Sequence, residues 1–360
     1  LMKNNINYWS GDNLISKDIK FIFDGKQSTL VFTKISSEWN TLITLFNYWS
    51  FNYSKKNISF IVEYVNSDGE CIYKKNYELL DKNTKIIDVS KELNEIGIFE
   101  FEGSTRLNLS FDKLVSELPL QLLADYIFCD NISCVHGQGS LTDYQYPQRS
   151  HMISVKEHDG WRTSFDLKNN YIGKEKLPFN EAKIELFNFK GLSKKIKIPL
   201  PKKGSGKRYY ISNIFNDISP FLGDKNGHLR VTTPYKSHRT FYIQENVKSK
   251  SITVNHGTVE HNFNYPEWSG IPIDNYKKIK SAPRTIAPVL INKDLTSGVI
   301  LINTFGPPEG KRVLKIDFFS ETGSDKPAKV YELELDKRET KTLMFKDLIN
   351  DDNFCGHAAI

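Results

Sequence analysis

Along most of the chain, apolar and polar residues alternate one by one over short runs, and each run breaks at a turn. The stretches "SFIVEYVNSDG" (59–69), "AKIELFNFKG" (182–191) and "VLKIDFFSETG" (313–323) share this form. Val62 and Tyr64, Ile184 and Leu186, and Ile316 and Phe318 sit two apart, and Gly69, Gly191 and Gly323 close the runs. A period of two sends alternate side chains to opposite faces, so each run predicts a half-buried strand entering a turn. Elsewhere the apolar runs are equally short and rich in Val, Ile, Phe, Tyr and Thr. No stretch sustains helical spacing beyond two turns. The expected class is all-β, built of antiparallel β-sandwiches with roughly seven to nine strands each. A βα alternation is absent, which argues against doubly wound and α/β-barrel folds.

The runs recur in a fixed order. "KISSEWNTLITLFNY" (34–48) lies on "KEHDGWRTSFDLKNN" (156–170) without a gap, at an offset of 122 residues (161 − 39). Lys34 falls on Lys156, Trp39 on Trp161, Thr41 on Thr163, Leu45 on Leu167 and Asn47 on Asn169. "LTSGVILINTF" (295–305) keeps Leu301 and Asn303 in those places and loses the tryptophan. Further on, "YELLDKNTKIIDVSKEL" (77–93), "IPLPKKGSGKRYYISNIFNDI" (198–218) and "YELELDKRETKTLMFKDLI" (331–349) each read as strand, polar turn, strand and a short apolar segment. In that segment Ile211, Ile214, Phe215 and Ile218 have the spacing of a helical turn that plugs the end of a sandwich. "GSTRLNL" (103–109) then meets "GHLRVTT" (227–233) and the closing "GHAAI" (356–360). "ISCVHG" (132–137) meets "ITVNHG" (252–257), each followed by a Tyr-Pro. Tandem repeats of about 122–134 residues follow from this order.

The expected division is an arm or tail of a preceding unit at 1–28, units at 29–150 and 151–284, and a third unit at 285–360 that is incomplete. The order of these elements resembles the immunoglobulin-like β-sandwich domains repeated along many bacterial surface and secreted proteins. The resemblance covers most of the chain as a grammar of strands and turns without signature residues. It implies spacer, adhesive or carbohydrate-binding roles and an extracellular or cell-surface setting.

Composition narrows the picture modestly. The 49 basic and 43 acidic residues leave a net charge of +6, and the lysine doublets are scattered instead of forming a stripe with interleaved aromatics. That favours a solvated surface over a nucleic-acid partner. No apolar run approaches the length of a membrane span, and "LMKNNINYWSGDN" has no apolar signal core. The four cysteines form no CxxC pair, so no metal site is expected from them, and they read as free thiols, most of them buried.

Candidate chemistry is sparse, and no cofactor motif is present. "KKGSGKR" (202–208) lacks the spacing of a phosphate loop and reads as a hairpin turn. His136 and His256 occupy equivalent His-Gly positions, and "HGTVEH" adds Glu260 and His261. His256 and His261 would face opposite ways in an extended strand. Cys134 shares a strand face with His136. Among the aromatics, Trp9, Trp49, Tyr144, Tyr146, Trp161, Tyr265 and Trp268 are candidates to stack on sugar rings. The loops "TDYQYPQRS" and "NFNYPEWSG" fit best, with Tyr144, Tyr146, Tyr265 and Trp268 as the expected ligand-binding set, while Trp39 and Trp161 read as core.

The leading expectation is a non-catalytic structural or binding module engaging glycans or proteins through these loops or through an edge strand of the incomplete third unit. The alternative is a hydrolase or metal-dependent enzyme with a site between units, near His136 or His256.

Overall fold

The structure is a computed structural model that describes residues 26–47, 58–80, 83–110, 122–136, 149–171, 180–233, 240–259, 286–303, 311–322 and 326–360. It is all-β, with four short helices among the described residues. The first unit comprises β1 (Lys26–Ile35), β2 (Trp39–Phe46), β3 (Ile58–Asn66), β4 (Cys71–Leu79), β5 (Thr84–Asp88), β6 (Phe101–Ser110), β7 (Leu122–Phe128) and β8 (Asn131–His136). The second has β9 (Arg149–Val155), β10 (Trp161–Asn169), β11 (Glu181–Phe187), β12 (Ser193–Pro199), β13 (Ser205–Tyr210), β14 (Gly227–Thr233), β15 (Phe241–Asn246), β16 (Ile252–His256) and the two-residue β17 (Thr258–Val259). The third has β18 (Ile286–Ile291), β19 (Gly298–Ile302), β20 (Arg312–Ser320), β21 (Lys329–Leu335), β22 (Thr340–Met344) and β23 (Phe354–Ala359).

The strand order recurs from unit to unit. One sheet runs β1-β6-β3-β4, then β12-β11-β14-β9-β17, then β18-β23-β20-β21, and the partner sheets run β5-β2-β7-β8, β13-β10-β15-β16 and β19-β22. All the pairings are antiparallel. Register recurs as well. Glu63 stands opposite Arg106, Glu185 opposite Arg230 and Asp317 opposite Ala359, so the third unit loses the arginine but keeps the ladder position. In each unit residues of both sheets meet in one apolar cluster: Val62 and Leu107 with Ile43 and Tyr126, Ile184 and Leu229 with Phe165, Ile316 and Phe318 with Leu301. This arrangement fits a β-sandwich.

Three local devices explain why the same residues return. Asn47, Asn169 and Asn303 end equivalent strands, and each donates from Nδ2 to carbonyls of the crossing chain 32 residues later, Leu79, Pro201 and Leu335. The hydroxyls of Thr41, Thr163 and Ser297 bond both the N–H and the C=O of the residue seven positions earlier, Lys34, Lys156 and Leu290. Gly103, Gly227 and Gly356 let two strands approach, because a Cβ there would overlap the carbonyl oxygen of Val65, Phe187 and Phe319 respectively. Lys34 and Lys156 also lie over the rings of Trp39 and Trp161, at 4.9 and 4.2 Å.

The apolar plug is a short helix in each unit: Val89–Asn94, Ile211–Ile214 followed by Ile218–Leu222, and Phe345–Ile349. Val89, Leu93, Ile211, Phe215, Ile218 and Phe345 are all buried. The first helix is capped by Asp88, whose Oδ1 accepts from the N–H of Lys91 at 3.2 Å.

Three expectations are corrected. The turn at 202–208 is not a hairpin: β12 pairs with β11 in one sheet and β13 pairs with β10 in the other, so the turn carries the chain between sheets. The Asn169 bond to the Pro201 carbonyl holds it there at 2.7 Å. The cysteines are not mostly buried. Cys71, Cys134 and Cys355 are exposed on their strands, and Cys129 is half-buried in the turn that follows β7. Trp39 is buried, whereas Trp161 is only half-buried. Among the described residues no helix is long and apolar enough to cross a membrane.

Candidate functional site at the unit joints

The sheet β13-β10-β15-β16 is covered on both faces. From β10, Phe165 and Leu167 enter the core of the second unit. Ser164, Asp166 and Lys168, on the opposite face, are also buried. From β15 and β16, Phe241, Ile243, Ile252 and Val254 join the apolar cluster of the first unit. Phe241 packs 5.2 Å from Tyr126 and 6.1 Å from Phe32. One sheet therefore serves two cores.

Arg208, on β13, occupies the middle of this joint. Its Nε donates to Ser164 Oγ at 2.6 Å and its Nη2 to Glu245 Oε2 at 3.2 Å. The two side chains are only 1% and 0% exposed. The guanidinium lies 5.3 Å from the Trp39 ring, 5.6 Å from Phe32 and 4.5 Å from Tyr210. A planar, weakly hydrated cation suits such an aromatic nest better than an ammonium does. Glu245 also pairs with Arg162 and accepts from Tyr210 Oη at 2.9 Å. Burial pushes the Glu245 carboxyl up, but Arg208, Arg162 and the Tyr210 hydroxyl outweigh it and hold it below its ordinary value. The carboxylate thus stays charged inside the joint.

The neighbouring pair behaves differently. Lys168 Nζ lies 3.2 Å from Asp166 Oδ2, both side chains nearly without exposure. Burial pushes Asp166 up and Lys168 down, so both lean toward the neutral form. From the first unit, Arg106 reaches back, donating from Nη1 to Glu63 at 3.1 Å and from Nη2 to the Gly204 carbonyl at 2.7 Å.

On the rim, β8 and β16 lie side by side with contacts that advance together along both strands. Asn131 Nδ2 donates to the Lys250 carbonyl at 3.2 Å, and the Val254 N–H donates to Ser133 Oγ at 2.9 Å. At their ends, His136 Nε2 and His256 Nε2 are 3.0 Å apart, with ring centres 4.9 Å apart. Lys250 also bonds Glu38 at 2.7 Å.

The second and third units meet through a smaller contact. His228 is fully buried, stacks on Phe187 with ring centres 4.5 Å apart, and has Nδ1 2.7 Å from Thr340 Oγ1. Burial, with Arg338 adding to it, pushes its pKa down to about 3. Asn226 Nδ2 donates to Thr342 Oγ1 at 2.7 Å, and the Thr340 N–H donates to the Phe189 carbonyl at 3.2 Å.

Of the residues singled out in the sequence, His136 and His256 are brought together. Tyr144, Tyr146, Tyr265, Trp268, Glu260 and His261 lie outside the described residues, as do Trp9 and Trp49. Cys134 is exposed two residues before His136, with its thiol pushed up to about 11 by burial and by Asp125. A thiol so held is a poor nucleophile at neutral pH. The joint residues Arg208, Glu245, Asp166 and Lys168 escaped the sequence reading, because polar residues alternating with apolar ones read as a solvent face. Their one signal was the run Arg208-Tyr209-Tyr210, a cation beside aromatic rings within a strand. No family model, curated protein or solved structure matches the chain.

Proposed function

We propose that the protein is a non-catalytic structural module of the bacterial immunoglobulin-like kind, whose work is to hold its units, and the loops they carry, in fixed relation. The observation that supports this most is the sheet β13-β10-β15-β16, which contributes to the cores of two units at once. A flexible tether needs no shared core, and a spacer that transmits position does. The smaller contact through His228 extends the same logic to the third unit.

On such a frame, the loops bearing Tyr144, Tyr146, Tyr265 and Trp268 are the surfaces we assign to a glycan or protein partner. Both begin just past the His136 and His256 strands, so the joint that fixes those strands also fixes where the loops begin.

The exposed Cys71 in the first unit and Cys355 in the third provide a direct test. With Cys129→Ser and Cys134→Ser removing the other thiols, spin labels on the two give a distance distribution by pulsed electron resonance. A single narrow distribution supports the reading, and a broad or multimodal one overturns it. Replacing Tyr146 and Trp268 with Ala is expected to abolish glycan capture on an array without lowering the melting temperature. If the intact chain captures no glycan, the carbohydrate part fails and the spacer role stands.

A further inference from the structure

We infer that His136 and His256 form a divalent transition-metal site that ties the last strand of the first unit to the equivalent strand of the second. Bonds from imidazole nitrogen to metal run about 2.0–2.1 Å. Two Nε2 atoms 3.0 Å apart therefore subtend roughly 91–97° at an ion bound to both. The rings agree: centres 4.9 Å apart subtend roughly 100° at the same ion if each lies about 3.2 Å from it. Both distances thus leave the two nitrogens within reach of one ion.

A tetrahedral ion wants its nitrogens about 3.3–3.4 Å apart, whereas adjacent positions of a square-planar or octahedral ion want about 2.9 Å. The observed 3.0 Å lies between these two spacings, and imidazole suits Ni2+, Cu2+ and Zn2+ alike. Among the described residues no group of three His, Cys, Asp or Glu side chains could hold an ion. From the described residues the ion takes these two nitrogens, and water reaches the exposed His136 and the half-buried His256 to fill other positions of its shell.

The spacing is set before an ion arrives. Ser133 bonds the Val254 N–H and Asn131 bonds the Lys250 carbonyl, so the strands that carry the histidines are already registered. In the metal-free pair one ring donates its Nε2–H to the other. Binding shifts that proton to Nδ1 of the same ring, freeing both Nε2 lone pairs without loss of a proton from the pair. Because the ligands come from two units, the bound ion adds a fastening to a joint that the Arg208 cluster already holds.

The test is calorimetric titration of tag-free, full-length chain with NiCl2 in a non-chelating buffer, beside His136→Gln, His256→Gln and the double variant. Glutamine keeps a polar contact but cannot chelate, so the fold is retained; melting curves in EDTA should coincide with the parent. The expected result is one ion per chain, affinity at least tenfold weaker in each single variant, and no binding in the double variant, which has lost both ligands. Absence of binding to the parent overturns the inference. So does binding that survives both substitutions, or that depends on one histidine alone.

Discussion

Arg208 Nη2 lies 3.2 Å from Glu245 Oε2 across the central strand β10, and neither side chain reaches water. Around them stand Phe32 and Trp39 of the first unit and Tyr210 of the second. Removing Arg208 leaves the Glu245 carboxylate desolvated, with only Arg162 and the Tyr210 hydroxyl to compensate it. Arg208→Met is therefore expected to cost about 3–5 kcal/mol in urea unfolding. The double variant Arg208→Met, Glu245→Met should recover much of that loss, because the cavity is lined by rings that accept an apolar side chain.

The asparagine at the end of β2, β10 and β19 makes the same polar contact in all three units. Each Nδ2 satisfies carbonyls where the chain leaves one sheet for the other, so Asn→Ala strands a buried acceptor. Asn47→Ala, Asn169→Ala and Asn303→Ala should each lower stability by about 1–3 kcal/mol. Asn→Asp should be worse than Asn→Ala, since it sets a second acceptor against those carbonyls. Chemical denaturation of the six variants checks both statements.

His228 makes stability depend on acid. Its folded pKa of about 3 lies below the ordinary value of 6.5, so the unfolded chain takes up a proton first. Its contribution is complete above pH 6.5 and falls as pH drops toward 3, by at most about 1.4 kcal/mol per pH unit. Glu157 slopes the other way. Burial pushes its carboxyl up to about 7, against the Thr163 N–H bond and Arg162, so its contribution is complete below about pH 4.5 and fades as pH rises through 7. Unfolding series from pH 4 to 8 should show the acid slope flattened in His228→Gln and the slope between pH 4.5 and 7 altered in Glu157→Gln.

Gly191 closes the β11–β12 turn with φ +80°, and a Cβ there would stand 2.6 Å from the Lys337 carbonyl of the third unit. Gly191→Ala combines a left-handed backbone with a collision across the joint, and should cost about 1–3 kcal/mol. Hydrogen exchange should then rise in β22, where Thr340 bonds the Phe189 carbonyl, more than in the remote β18.

Much of the architecture was legible because it is local. Alternation placed Val62, Ile184 and Ile316 on core faces, and the recurrence of Asn47, Asn169 and Asn303 pointed to equivalent strand ends that prove to share one contact. The turn at 202–208 was misread because a polar turn between two strands looks alike whether it joins neighbours in one sheet or crosses to the other. The joint was invisible for a related reason. Ser164, Asp166 and Lys168 alternate with Phe165 and Leu167 as an exposed face would, and only the packing of a second unit turns that face inward. His136 and His256 were visible as equivalents, but that equivalent residues of successive units would touch depends on how the units dock.

The central claim is that the first two units share a core, and native-state hydrogen exchange tests it most directly. The amides of β6, in the first unit, and β10, in the second, should be compared between the parent and Arg208→Met. If the units share a core, protection in both strands falls together and by a similar factor. Loss of protection in β10 alone, with β6 unchanged, would contradict the account.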